Sequence, residues 1–228
     1  MSKGPGVQKM FDAIAGRYDL MNRVMTLGQD QRWRKFVVQK AGDPGRGATL
    51  DLATGTGDIA ALMSRTYPYA RVTGADFSLN MLKEAEKRFA SSGIHWQACD
   101  ANKLPFDDNC FDSVTFGYLL RNVDDAGKVL TEVCRVLSPG GRVVCLDTTP
   151  PARNLLYPFV LLYLKYGIPI MGKMIANDEA AYSYLTGSTM DFYSAGELAE
   201  LFTAAGFTKV GYKKFMFGTI GIHWGEKP

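Results

Sequence analysis

Short apolar runs alternate with amphipathic segments of helical spacing between Thr49 and Asp147. Each apolar run predicts a buried β-strand, and each segment with apolar residues three or four positions apart predicts a helix. Ser78 is placed to cap one of these helices. Repeated strand–helix units joined by short links predict an α/β fold with a doubly wound, mostly parallel sheet and helices on both faces. The predicted strands are Ala48–Leu52, Arg71–Ala75, Ile94–Ala98, Asp112–Phe116 and Arg142–Leu146.

Helix boundaries follow from local capping signals. A helix with Leu137 as its last apolar position is expected to stop at Pro139–Gly141, because proline and glycine do not continue a helix. Later in the chain, Ser194 is followed three residues on by Glu197, which is a capping-box pattern. It predicts the start of a helix that ends at Gly206, since glycine suits the left-handed residue after a helix.

The two ends of the chain break the strand–helix alternation. Residues 1–42 are predicted to form a helical flap, and residues 152–190, which are apolar and aromatic, a helical cap inserted after the fifth strand. We expect both segments to cover the edge of the sheet where ligands bind. Lys209–Phe215 and Thr219–Trp224 predict a closing antiparallel hairpin, which brings the sheet to seven strands.

Composition and charge narrow the class of protein. The length of 228 residues suits a single domain that spans the whole chain. A net charge of +3, without a run of basic residues, gives no support for nucleic-acid binding. The longest apolar stretch is too short to span a membrane and no signal peptide is visible, so we expect a cytoplasmic protein. The cysteines and histidines are scattered, which argues against a metal site.

A glycine-rich loop between the first strand and the next helix points to a ligand site. It runs from Asp51 to Asp58 with the sequence Asp-Leu-Ala-Thr-Gly-Thr-Gly-Asp. Gly55 and Gly57 permit a tight turn and a close approach of the backbone to a ligand. The free N–H groups at the start of the helix suit the carboxylate of S-adenosylmethionine (SAM) or a phosphate.

Two classes of cofactor therefore fit this loop. Its glycine spacing also matches the loose dinucleotide-binding pattern, and Asp76 lies where a ribose-binding acid is expected in both cases. Three features favour SAM over a nicotinamide cofactor. Asp51 attracts an ammonium but repels a pyrophosphate, and Asp100 is placed to accept from an adenine amino group. The chain also lacks the Tyr-x-x-x-Lys pair that short-chain reductases use.

Several longer sequence motifs, the glycine loop among them, are distributed over nearly the whole chain. They are Phe11–Asn22 with Trp33–Arg34, Asp51–Asp58, Asp76–Leu82, Asp100–Phe106, Leu120–Val123, Arg135–Arg142 and Gly172–Leu185. With these stretches the chain resembles the ubiquinone/menaquinone biosynthesis C-methyltransferases. The resemblance implies a Rossmann-like class I methyltransferase fold, SAM as the cofactor, and a prenylated quinol as the methyl acceptor, either demethylmenaquinol or a ubiquinol precursor.

The resemblance also implies roles for individual residues. Arg121 and Asn122 are expected to orient the quinol oxygens and stabilise an oxyanion. Apart from the resemblance, the place of Asp147 at the end of the fifth predicted strand suits it to contact the substrate or orient Arg121. Further substrate contacts are expected from the flap and the cap, at Tyr18, Asn22 and Tyr182. Together with the loop residues already described, the expected SAM contacts are Asp51, Gly55, Thr56, Gly57, Asp76, Phe77, Asp100, Ala101 and Gly117.

Each of these residues has a competing structural interpretation. Asp51 also suits the capping of N–H groups of the adjacent loop, and Arg121 also suits an ion pair with Asp124 or Asp125. Asp58 fits a helix N-terminal acid, and Asp147 fits a turn residue. His223 and Tyr182 are candidate bases, but His223 also fits a residue that only packs within a strand.

The apolar run at residues 155–164 bears on the partners of the protein. It fits the buried core of the cap, a channel for an isoprenoid tail, or a face that rests on a membrane. Weak association with a membrane surface therefore stays open, as does a homodimer. The partner that the resemblance implies is a small molecule, a quinol or another phenol.

Four residues depart from the family pattern. Asp30 stands where the family has histidine, Asp147 where it has glutamate, Thr149 where it has serine, and Leu119 where it has a smaller residue. They fall near the expected acceptor pocket and outside the residues expected to bind SAM. A different phenol or a heterocycle therefore stays open as the acceptor, and a nicotinamide-dependent oxidoreductase is the third hypothesis.

Overall fold

Seven strands form one sheet in the computed structural model, which describes residues 22–151, 155–171 and 187–228. They are β1 (Ala48–Leu52), β2 (Arg71–Asp76), β3 (His95–Ala98), β4 (Phe111–Gly117), β5 (Leu137–Thr148), β6 (Thr208–Phe215) and β7 (Ile220–Glu226). Their order across the sheet is β3-β2-β1-β4-β5-β7-β6. The first five strands pair in parallel, and β7 is antiparallel to β5 and β6. The predicted mostly parallel sheet with a closing hairpin is confirmed.

Helices cover both faces of this sheet. They are α1 (Asp30–Ala41), α2 (Asp58–Thr66), α3 (Leu79–Arg88), α4 (Ala126–Val136), α5 (Tyr157–Leu162), α6 (Ile168–Met171) and α7 (Ala195–Ala204), with a π-type turn between α5 and α6. On one face, α1 and α2 pack against Val144 and Ile222. On the other face, α4 and α7 pack against Leu50 and Phe116. This is the doubly wound arrangement that the alternating pattern predicts.

The local capping predictions are confirmed. The Ser78 hydroxyl accepts a hydrogen bond from the backbone N–H of Met81 at the start of α3. Ser194 and Glu197 make both bonds of a capping box at the start of α7. That helix ends at Ala204, and Gly206 follows with a φ of 97°.

The prediction for Leu137 is wrong. It begins β5 and does not continue α4, because it pairs with Phe111 at the start of β4. The pairing then shifts and resumes at Ser113 with Arg142. Residues 138–141 therefore interrupt the pairing of β5 with β4 within the strand, instead of separating a helix from a strand.

The flap and the cap meet at the carboxyl edge of the parallel strands. Residues 22–25 of the flap are helical, and the Tyr163 hydroxyl of the cap donates to the Met25 carbonyl oxygen at 2.6 Å. Tyr18 and Tyr182 lie outside the described residues. Over the three described ranges, no helix combines the length and apolar character that crossing a membrane requires.

Candidate functional site

The glycine loop leaves β1 at the carboxyl edge of the sheet and enters α2 at Asp58. Gly55 and Gly57 have left-handed backbone angles, with φ of 57° and 87°. A Cβ on Gly57 would lie 2.7 Å from the Trp96 ring, so this glycine lets the loop pack against β3. A Cβ on Gly55 would meet nothing within 4 Å. The loop therefore presents its backbone to open space at Gly55, as a ligand cradle does.

The neighbouring strand ends carry the other predicted cofactor residues. Asp76 ends β2 and accepts from the backbone N–H of Gly55 at 2.8 Å and of Ser78 at 2.9 Å. Asp100 is exposed just after β3, and Gly117 ends β4. The carboxyl ends of four adjacent strands thus bring these residues to one edge of the sheet. Adjacent to them in the chain are Thr56, Phe77 and Ala101.

Asp51 lies beneath the loop and is only 1% exposed. Its Oδ1 accepts from the Thr115 hydroxyl at 2.8 Å. Its Oδ2 accepts from the Thr54 hydroxyl at 2.6 Å and from the Ala60 N–H at 3.1 Å. Burial raises the pKa of Asp51 from 3.8 to about 6, against these hydrogen bonds and the nearby Arg34 charge, which lower it. Asp51 therefore does cap groups of the adjacent loop and helix, as its structural interpretation predicts. Its contact with the ammonium group of SAM stays a prediction.

Arg121 lies in the 3₁₀ turn that follows β4, and its side chain is buried. The guanidinium carbon lies 4.9 Å from the Tyr118 ring centre, and Nη1 donates to the Thr148 hydroxyl at 3.1 Å. Nη1 is also 3.6 Å from Oδ1 of Asp147. Burial raises the pKa of Asp147, while the Arg121 charge lowers it. Asp147 lies within β5 and forms this ion pair with Arg121, so its interpretation as a turn residue is wrong.

A cavity of about 80 Å³ lies beside Arg121, between the flap, the cap and the sheet edge. Within the described part of the chain, two donors of its lining residues are buried without a hydrogen-bond partner, Asn22 Nδ2 and Arg121 Nε. Buried donors of this kind are ordinarily satisfied by an ordered water or by a ligand. The remaining lining residues are Met25, Thr26, Tyr118, Thr148, Tyr163, Leu164, Ile168, Thr189, Met216, Thr219 and Ile220. Because most of this wall is apolar, the cavity fits a ligand with an apolar body and oxygen acceptors.

Asn122 and His223 are not among the described residues that line this cavity. The Asn122 amide donates to the Tyr118 carbonyl oxygen at 2.7 Å and so holds the turn that carries Arg121. His223 Nε2 lies 2.9 Å from the Ala195 carbonyl oxygen, and its ring stacks on Tyr212. Burial lowers the pKa of His223. The strand-packing interpretation of His223 is confirmed.

Two other aspartates have structural roles. Asp125 accepts from the backbone N–H of Lys128 at 2.9 Å and caps α4. Asp58 is the first residue of α2 and forms ion pairs with Arg34 and Arg88, which confirms its interpretation as a helix N-terminal acid. Among the described residues, no group of three or more His, Cys, Asp or Glu side chains is arranged to hold a metal ion.

Several residues of the cavity wall were missed by sequence reasoning. Tyr118 and Thr148 lie two residues after the ends of predicted buried strands, and that position was a usable signal. Met216, Thr219 and Ile220 come from the closing hairpin. Their approach to the cavity depends on the pairing of β7 with β5, which no local pattern reveals.

The fold and the site together define a SAM-dependent methyltransferase. A glycine loop follows β1, acidic residues stand at the ends of β2 and β3, and a partly open cavity lies at the same edge of the sheet. A SAM-dependent methyltransferase from Aquifex aeolicus has the same fold, with a TM-score of 0.61 and 17% identity over 86% of this chain and 89% of that one. Haemonchus contortus phosphoethanolamine N-methyltransferase 2 in complex with SAM gives a TM-score of 0.63 and 16% identity over 86% of this chain and 52% of that one.

The chain belongs to the ubiE/COQ5 methyltransferase family, whose sequence profile matches residues 1–227. It is 75% identical over 227 residues to the ubiquinone/menaquinone biosynthesis C-methyltransferase UbiE of Desulfotalea psychrophila, covering 100% of this chain and 92% of that protein. It is 40% identical over 221 residues to the demethylmenaquinone methyltransferase of Thermus thermophilus, covering 96% and 100%. The family resemblance is confirmed, and the nicotinamide alternative is wrong.

Proposed function

We propose that this chain transfers the methyl group of SAM to a ring carbon of a prenylated quinol, either demethylmenaquinol or a ubiquinol precursor. The observation that carries the proposal is the pair of buried donors at the cavity, Asn22 Nδ2 and Arg121 Nε, which have no partner among the described residues. A quinol has an apolar ring and tail and two oxygens that accept hydrogen bonds. The names of the relatives from Desulfotalea psychrophila and Thermus thermophilus support the same acceptor.

The cradle at the end of β1 fits the cofactor that this activity requires. When bound, SAM supplies a methyl group on a positively charged sulfur. Open space at Gly55 leaves room for it. Asp76 and Asp100 are proposed to accept from the ribose hydroxyls and the adenine amino group, since each carboxylate oxygen has a second lone pair. Further proposed contacts are Asp51, Thr56, Gly57, Phe77, Ala101 and Gly117.

Arg121 is proposed to be the catalytic residue that stabilises the acceptor oxyanion. A quinol ring carbon becomes nucleophilic when a neighbouring hydroxyl loses its proton, and the resulting phenolate needs a positive partner. The Arg121 guanidinium is already held by Asp147 and Thr148, so little reorganisation is required. Asn22 is proposed to bind the acceptor through Nδ2, which has no partner among the described residues, and the apolar wall is proposed to exclude water once the acceptor is bound.

Methyl transfer with the acceptor in each redox state tests the proposal. The enzyme and SAM are incubated with demethylmenaquinol kept reduced by dithionite, or with its oxidised quinone, and S-adenosylhomocysteine (SAH) is measured by mass spectrometry. We expect SAH only with the reduced form, because the quinone has no hydroxyl to ionise. Consumption of SAM on an unrelated phenol, with none on demethylmenaquinol, disproves this acceptor.

A different phenol or heterocycle is the second candidate acceptor, and the departures from the family pattern favour it. Asp147 holds Arg121, and the Thr149 N–H donates to the carbonyl oxygen of Thr219, which lines the cavity. Asp30 contacts Thr26, which also lines the cavity. A thermal-shift screen of acceptors with SAH present separates the two candidates, because the true acceptor gives the largest rise in Tm.

The pH dependence of cofactor binding tests the proposed role of Asp51. Because its pKa is raised to about 6, Asp51 gains its charge as the pH rises through 6. If the carboxylate attracts the SAM ammonium, the affinity for SAM weakens as pH falls below 6, by up to about tenfold per pH unit, and levels off above it. Calorimetry between pH 5 and 7 measures this. Asp51→Asn should bind more weakly and show a flat profile, whereas a flat wild-type profile leaves Asp51 as a cap only.

We further propose that the cavity edge rests weakly on a membrane surface. Exposed apolar side chains recur three or four residues apart along the cap helices, and the flap and the hairpin turn add one each. The cap, the flap and the hairpin turn each also contribute residues that line the cavity, close in sequence to these exposed side chains. A rim of this kind inserts into the lipid interface, where a prenylated acceptor resides. This apolar rim consists of Leu27, Phe159, Leu162, Tyr166, Ile170 and Phe217.

Flotation with anionic phospholipid vesicles tests the apolar rim. The double variant F159S/L162S should bind vesicles at least about tenfold more weakly, because each large apolar side chain contributes ~1.5–3 kcal/mol when buried. Tyr69→Ser is the matched control, since Tyr69 is 73% exposed and precedes β2 at the opposite edge of the sheet. Unchanged vesicle binding contradicts the proposal. The proposal is also contradicted if the wild-type protein is a dimer in gel filtration and F159S/L162S is a monomer. In that case a second copy of the chain covers the apolar rim.

A further inference from the structure

Four charged side chains of alternating sign form a line from the flap to the glycine loop. Asp30 and Arg34 lie on α1, Asp58 begins α2, and Arg88 ends α3. Arg34 Nη2 lies 3.7 Å from Asp30 Oδ2, and Arg34 also pairs with Asp58. Arg88 Nη2 lies 2.8 Å from the other oxygen of Asp58. Asp58 therefore joins a helix of the flap to a helix that supports the loop.

The two ends of this line reach the two binding sites. At one end, Arg88 Nη1 donates to the carbonyl oxygen of Thr56, within the glycine loop, at 2.9 Å. At the other end, the Thr26 hydroxyl lies 3.3 Å from Asp30 Oδ1 and donates to the Asn22 carbonyl oxygen at 2.7 Å. Thr26 and Asn22 both line the acceptor cavity. The line thus connects the backbone of the cofactor loop to the wall of the acceptor cavity.

Burial makes these contacts stiff. The side chains of Asp30 and Arg34 are 2% and 8% exposed, and that of Asp58 is 14% exposed. A charge removed from water at such sites depends on its partners, so displacing one member forces the others to move or to remain unpaired. Arg88, the member next to the loop, is more open, with its side chain 27% exposed. The line is thus an unbroken series of contacts between Thr56 and Thr26.

We propose that Asp58 and Arg34 are positioning residues that couple the cofactor loop to the acceptor cavity, so that filling one site strengthens binding at the other. The proposal rests on the proposed function, because it takes the cavity as the acceptor site. The coupling is reciprocal, since a difference in binding free energy between two sites acts equally in both directions. In this proposal the acceptor acts on the line through Asn22, whose Nδ2 has no partner among the described residues.

Calorimetry of SAH binding, with and without a saturating quinone, tests the coupling. The probe is oxidised demethylmenaquinone with a short prenyl tail, whose oxygens accept hydrogen bonds without methyl transfer. In the wild-type enzyme we expect the quinone to lower the Kd for SAH by about fivefold or more. In Asp58→Asn this ratio should fall to about one, and Asp58→Glu, which keeps the charge, should restore part of it.

Two further variants keep the test decisive. Glu226→Gln is the matched control, because Glu226 is an ion-paired carboxylate of similar exposure that pairs with Lys209 at the opposite edge of the sheet. Its ratio should equal the wild-type ratio. Asp30→Asn removes a charge of the line at a residue that lines neither site, so it tests the coupling even if Asp58→Asn fails to fold. It should bind SAH alone as the wild type does, with the ratio lost.

The outcomes separate this inference from the proposed function. A quinone that does not bind the enzyme at all overturns the acceptor assignment. A quinone that binds but leaves the Kd for SAH unchanged in the wild type overturns the coupling alone. A wild-type ratio that persists in folded Asp58→Asn or in Asp30→Asn shows that the line of charges only stabilises the fold.

Discussion

Replacing Arg121 with methionine is expected to lower kcat by about 10²- to 10³-fold, while the affinity for SAH stays at its wild-type value. The substitution keeps a long side chain but removes the guanidinium that lines the acceptor cavity. The reaction then loses the positive charge that stabilises the phenolate, whereas the cofactor cradle at Gly55 is untouched. Steady-state kinetics with the reduced quinol and calorimetry with SAH measure the two effects separately.

The control for this prediction concerns the buried partner. Arg121→Met leaves Asp147 without its ion pair, which destabilises the fold. The double variant R121M/D147N should recover the free energy of unfolding but not kcat. Arg121→Lys should give an intermediate kcat, because it keeps the charge but not the planar fork. A folded Arg121→Met enzyme with near wild-type kcat contradicts the assigned role.

Gly57→Ala is expected to lower the free energy of unfolding by about 2–5 kcal/mol. The left-handed φ of 87° costs an alanine ~1–2 kcal/mol. The added Cβ lies 2.7 Å from the Trp96 ring and 3.1 Å from Ala85 Cβ, and such overpacking costs a further ~1–3 kcal/mol. Urea denaturation measures the change, and wild-type stability would show that the loop does not pack against Trp96.

Gly55→Ala is the matched variant, and we expect it to weaken cofactor binding while costing the fold less than Gly57→Ala does. Its φ of 57° costs only ~1–2 kcal/mol, and the added Cβ meets nothing within 4 Å. That Cβ enters the space proposed for the cofactor, so SAH affinity should fall by about tenfold or more, or ~1.4 kcal/mol. If SAH binds to Gly55→Ala as to the wild type, the cofactor lies elsewhere.

The local elements of this fold are predictable from sequence because their signals lie within a few residues. Ser78 caps its helix, and Ser194 with Glu197 forms the capping box. The glycine loop combines positions that need left-handed backbone angles with a helix start. Leu137 shows the limit of such signals. Its spacing fits a helix, but pairing with Phe111, a residue distant in the chain, places it in a strand.

The acceptor cavity is not predictable in the same way, because its wall joins segments that are far apart in the chain. The Tyr163 hydroxyl reaches the carbonyl oxygen of Met25, and the hairpin adds Met216. Arg121 was predicted from a family signature and Asp147 from its place at the end of a strand, but their ion pair follows from the adjacency of β4 and β5. Sequence therefore predicted residues of the site and missed most of its wall.

The departures from the family pattern have structural partners that sequence did not reveal. Asp30 is 1% exposed and contacts Thr26 and Arg34, so its carboxylate belongs to the line of charges behind the cavity. Asp147 forms an ion pair with the buried Arg121 side chain. Both act on the cavity through another side chain. Such substitutions can adjust the position of the acceptor without removing the groups proposed to bind it.

The most direct test of the proposed activity is the position of the transferred methyl group. Demethylmenaquinol is incubated with SAM carrying a deuterated methyl group, and the product is analysed by tandem mass spectrometry and NMR. We predict one labelled methyl group on a carbon of the quinol ring and none in the enzyme-free control. A label on an oxygen or on the prenyl tail, or an unlabelled quinol with SAM intact, would contradict a C-methyltransferase acting on this acceptor.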